Sequence, residues 1–159
     1  MNKLGVVLRE LHRSELHLAR DLDAVSRRHK ADHEIYYVAG DVAGWSREHV
    51  RRIAEAAADM NIDLSARPRT AARAGEFAER FSDLVARRPE PSLLLLVDLR
   101  RLHQRAAGVS IDWELLAQGA QATKNADLLE LASQCHPETL RQLRWTNSML
   151  KVLSPQALI

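Results

Sequence analysis

The chain has 159 residues, 46% of them apolar and 28% charged, and its 23 basic and 21 acidic side chains nearly cancel to +2. That is the make-up of one ordinary globular domain, and it excludes a disulfide scaffold or a polycation. The single cysteine, Cys135, fits a reducing compartment, Arg9 and Glu10 interrupt the N-terminus before a signal-peptide core develops, and the apolar run Leu93 to Val97 is too short to span a bilayer, so the expected setting is the bacterial cytoplasm with no membrane partner.

In chain order, the first helix is expected from Asn2 to His29. Leu4, Leu8, Leu11, Glu15, Leu18, Leu22 and Val25 alternate steps of four and three, a coiled-coil-like seam that only Glu15 breaks. Arg27, Arg28, His29 and Lys30 put positive charge where the helix dipole favours it. Asp32 then stands as a candidate N-cap for a second helix, His33 to Met60. Ile35, Val38, Val42, Trp45, His49, Arg52 and Ala56 repeat the step, with His49 as the polar residue in mid-seam. Gly40 and Gly44 each cost about 1 kcal/mol against alanine in a helix, and suggest close approach of a neighbouring backbone or a kink. Folding the two helices about residues 30 and 31 brings Glu15 and His49 within about one turn, roughly 5 Å along the axis, both facing inward.

Asn61 to Pro91 is too long for a turn. It carries Pro68, the basic residues Arg67, Arg69 and Arg73, and a short amphipathic helix around Glu76 to Arg88 with Phe77, Phe81 and Leu84 as its stripe. Such a connection lets the third helix begin at the same end as the second. Pro89 and Pro91 close the link, and Ser92 is a candidate cap. In Pro91 to Ala107 the run Leu93 to Val97 is apolar on every side, which predicts enclosure, and Asp98 directly after it should pair with an arginine of another helix. Gly108 as a helix-ending residue and Ser110 as an N-cap predict a break near Gly108. Trp113, Leu116, Ala117 and Ala120 give the next piece its apolar face. After a turn at Asn125 to Asp127, Leu128, Leu131, Ala132 and Cys135 open the fourth element. Pro137 begins its second piece, lined by Leu140, Leu143, Asn147 and Leu150 and ended by Pro155.

Two helical hairpins joined by a long crossover resemble the ferritin-like superfamily over most of the chain, at the level of topology. The resemblance implies an all-α, antiparallel four-helix bundle in one domain, residues 1–159, with a crossover carrying a short extra helix and a break near Gly108. In that family each hairpin supplies a glutamate from one helix and a Glu-x-x-His pair from the other, clamping two metal ions. On this chain Glu15 matches the first glutamate and His49 the first histidine, while Glu114 or Asp112 matches the third-helix carboxylate and His136 the last histidine. The residues three before the histidines are Ser46 and Ser133, so SREH and SQCH both lack the bridging glutamate, which counts against di-iron chemistry. Glu48 and Glu138 lie nearby but point elsewhere on ideal helices. The string HPETLRQ, His136 to Gln142, is similar to a fragment of ferritin-like stress-response bundles.

The arginine pairs are scattered among acidic residues with only seven aromatics in the chain, so no nucleic-acid platform is visible. Phosphate loops, nucleotide fingerprints and Ser/His/Asp arrangements are missing, and Cys135 has no orienting acid for a histidine partner. Two functional expectations follow. The favoured one is a non-catalytic bundle working by association with its own copies or a protein partner, with Trp45, Trp113 and Trp145 as anchors if exposed. The other is a reduced His/carboxylate site for iron, manganese or zinc, built from Glu15, His49, Glu114 and His136.

Overall fold

Asn2, Asp32 and Asn125 each stand just before a helix, and each side chain accepts a hydrogen bond from a backbone N–H three residues on, at Gly5, Ile35 and Leu128. These caps fix the starts of three helices by satisfying donors that the helix itself leaves unpaired. In the computed structural model, which describes residues 2–66 and 90–159, the helices are α1 (Lys3–Arg28), α2 (His33–Asp59), α3 (Pro91–Ala122) and α4 (Ala126–Ala157). The protein is all-α, and the described residues contain no strand. The extra helix expected around Glu76 to Arg88 lies outside the described residues.

Side-chain pairs give the register. Ser26 meets Tyr36, Asp23 meets Arg47, Glu15 meets His49, and Gly5 lies against Ile62, so numbers rise along α1 as they fall along α2. The same reversal relates α1 to α3 through Arg28–Asp98, Asp21–Arg105 and Ser14–Asp112. It relates α3 to α4 through His103–Thr146 and Ser110–His136, and α2 to α4 through Ser46–Gln142, His49–Glu138 and Arg52–Cys135. The end of α2 therefore lies beside the start of α1, and the start of α3 beside the end of α1. The last turn of α2 and the first turn of α3 thus lie at opposite ends of the bundle, apart by the length of the 27-residue α2, roughly 40 Å for 1.5 Å per residue.

The seam of α1 is largely as expected: Leu8, Leu11, Glu15, Leu18, Leu22 and Val25 are all buried, and Leu4 at its start is half-buried. On α2 the buried line sits closer to Ala39, Ala43, Ser46, Ile53 and Ala57, with Val38, Trp45, Arg52 and Ala56 only half-buried.

Four local expectations are corrected. Helix α3 runs unbroken through Gly108, where an added Cβ would meet nothing within 4 Å, and Ser110 uses its hydroxyl on His136 instead of capping. The helix begins at Pro91 rather than behind Ser92. Helix α4 is likewise continuous through Pro137 and on past Pro155. Pro137 and the residue four before it, Ser133, are both exposed, so the carbonyl that loses its amide partner can turn to water. Finally, of Leu93 to Val97 only Leu95 is buried and Leu93 is exposed, because this first turn lies at the end of the bundle.

Gly40 and Gly44 do not mark a close approach, since a Cβ at either would make only ordinary contacts, at 3.5 and 3.7 Å. The crowded glycines are Gly5 and Gly119, where a Cβ would stand 2.7 Å from Ile62 Cδ1 and 2.6 Å from Leu4 Cδ2.

Candidate functional site: a buried Glu–His–Glu cluster

The middle of the bundle is polar. Glu15 from α1 and His49 from α2 are both 0% exposed. His49 Nδ1–H donates to Glu15 Oε1 at 2.7 Å, and its Nε2–H donates to Glu138 Oε2 at 2.7 Å. Trp113 from α3 donates its indole N–H to the same Glu15 Oε1 at 2.7 Å, and its ring stands edge-on to His49 with centroids 5.6 Å apart. Each of the four helices thus contributes one member. Glu138 is the only one that reaches solvent, its side chain being 33% exposed.

Two carboxylates on the two ring nitrogens favour the doubly protonated imidazolium, which alone can donate on both sides. Burial alone would push the His49 pKa down. The hydrogen bonds and charges of Glu15, then of Glu138, outweigh it and hold the pKa above the ordinary histidine value.

Around it, α4 supplies a polar inner face. Thr139, Gln142 and Thr146 are buried where the leucine pattern pointed to Leu140, Leu143 and Leu150, and Leu140 is in fact exposed. Gln142 donates its amide to Val42 O and to Ser46 Oγ, tying α4 to α2 one turn from His49. Cys135 is buried and accepts from Arg52 at 3.4 Å. Burial lifts its thiol to about 12, so it stays protonated and unreactive.

Of the residues read as metal ligands, the structure brings Glu15 and His49 together. Glu114 is exposed on α3, Asp112 accepts from Ser14, and His136 bonds Ser110. Among the described residues no group of three or more His, Cys, Asp or Glu side chains is arranged to hold a metal ion. Nor does any described helix have the length and apolar character to cross a membrane.

No family model, curated protein or solved structure matches the chain.

Two members of the cluster escaped the sequence reading. Glu138 does reach the site, although ideal-helix geometry pointed it elsewhere. The available signal was His49 itself: a buried imidazole has two nitrogens, and one carboxylate satisfies only one of them. Trp113, expected in the core or as an anchor, is core at 0% exposed, and its N–H also needs an acceptor.

A second buried carboxylate, Asp98, behaves as expected. At 1% exposed, it accepts from Arg28 at 2.6 Å and also from His29 at 2.8 Å.

Proposed function

We propose that this chain is an antiparallel bundle of ferritin-like topology in which a proton-bearing hydrogen-bond network occupies the level where that family clamps metal, and that it works by association with its own copies or another protein rather than by catalysis. The observation that carries this reading is the engagement of both His49 nitrogens by carboxylates. An imidazole so bound has no lone pair to offer a metal or a substrate proton. The register between all adjoining helices and the link between opposite ends support the topology. Buried polar groups of this kind set which helix faces meet, a role in specificity more than in net stability. Support for association comes from the exposed apolar side chains Val6, Ile111 and Leu115 on α1 and α3, of which Val6 and Leu115 border one groove.

The second reading is a reduced metal site for iron, manganese or zinc, favoured by one observation: Glu15 Oε2 is buried without a hydrogen-bond partner beside an imidazole. As placed, the donors fall short of such a centre, because His49 would first have to release a carboxylate and its proton. Light scattering across a concentration series, with elemental analysis of the same sample, separates the two. Association predicts an oligomer or a reproducible complex with sub-stoichiometric metal. A monomer carrying stoichiometric metal that Glu15→Ala abolishes would replace the first reading with the second.

A further inference from the structure

Four buried oxygens have no hydrogen-bond partner among the described residues, and three of them, Glu15 Oε2, Thr139 Oγ1 and Gln142 Oε1, belong to residues that are 0% exposed. The hydrogen-bond pairs of their neighbours put these three residues within about one helical turn of one another along the bundle. Glu15 and Glu138, the latter next to Thr139, hold opposite sides of the His49 ring. Gln142, one turn beyond Thr139, is tied to Ser46, one turn before His49. Cys135, one turn before Thr139, feels the Glu15 charge.

The orientation of Gln142 is not free. Val42 O can only accept, so the amide nitrogen, 2.9 Å away, must face it and Oε1 must face the other way. The layer therefore presents two acceptors without hydrogens, a carboxylate oxygen and an amide oxygen, together with one hydroxyl that has a proton to give.

We propose that this layer is a binding site for a single internal water, which donates to Glu15 Oε2 and Gln142 Oε1 and accepts from the Thr139 hydroxyl. The donor and acceptor counts match: water offers two protons and a lone pair, and buried waters make about three hydrogen bonds to groups otherwise unsatisfied. A cation would engage all three oxygens through lone pairs and leave the Thr139 proton without an acceptor. The water links Glu15, at the inner end of the Glu138–His49–Glu15 chain, to Gln142 and so to α2, closing the polar layer.

The test is a crystal structure, at a resolution that shows ordered solvent, of the wild-type protein and of Thr139→Val, each grown with and without a metal chelator. The expected wild-type result is one solvent peak about 2.5–3.0 Å from all three oxygens, unchanged by chelator, and lost or reduced in the valine variant. Direct bonding among the three side chains, the absence of a peak, or a peak that chelator removes would each overturn the proposal. Should Thr139→Val not fold, oxygen-17 relaxation dispersion on the wild-type protein decides instead. At least one long-lived internal water is expected, and none would refute the site.

Discussion

Glu15 and Asp98 are both buried carboxylates on inward helix faces, yet they are neutralised differently. Asp98, near the end of the bundle, meets a guanidinium and an imidazole, and the Arg28 side chain is 20% exposed. Glu15, in the middle, meets an imidazole that a second carboxylate shares, plus a neutral indole. A guanidinium keeps its charge through the physiological range, whereas an imidazolium can lose its own. The end cluster thus includes a guanidinium that reaches solvent. The central cluster depends on a single proton held out of solvent.

Removing the central cation should cost most. His49→Ala leaves Glu15 and Glu138 facing each other with no positive charge between them, and is expected to destabilise by about 3–5 kcal/mol, read from the urea midpoint. Asp98→Ala should cost less, about 1–3 kcal/mol, because the Arg28 side chain already reaches solvent, at 20% exposed. Equal losses would erase the distinction between the clusters.

The pH response sharpens the contrast. The folded pKa of His49 is raised above its unfolded value, which lies near 6.5. Its contribution to stability is therefore fully present below about pH 6.5 and is lost as pH rises through the folded value. The urea midpoint of the wild-type protein should fall towards alkaline pH, and that fall should be much smaller in His49→Gln. Asp98→Asn, in the same experiment, should lower the midpoint without removing the alkaline decline.

The smallest expected effect lies away from both clusters. Gly108→Ala introduces a Cβ into open space within a continuous helix. It should stabilise by about 0.5–1 kcal/mol, a few degrees in thermal midpoint, and leave the pH profile of the wild-type protein unchanged.

The four-helix, all-α plan, the inward pairing of Glu15 with His49 and the arginine on Asp98 were legible in the sequence, because an apolar seam makes its polar interruptions stand out. What stayed hidden has physical causes. Gly108 and Pro137 carry strong local stop signals, but they sit within helices whose other faces are held by packing, and tertiary burial overrides local preference. On α4 the inner positions are Thr139, Gln142 and Thr146, polar residues that serve the central layer, so a search for leucines selects the neighbouring stripe. Glu138 lies beside that inner face and reaches His49 from the edge, a placement that periodicity alone does not register. The exposed Leu93 shows the converse, since an apolar run at the end of a bundle is covered on fewer sides than one in the middle.

Whether His49 carries a proton on each ring nitrogen is read by nitrogen-15 NMR of the ring, titrated with pH. Both ring nitrogens should be protonated at pH 7, with a midpoint above the ordinary histidine value that returns towards it when Glu15 is replaced by Gln. A His49 ring with one bare nitrogen at pH 7 would contradict this reading.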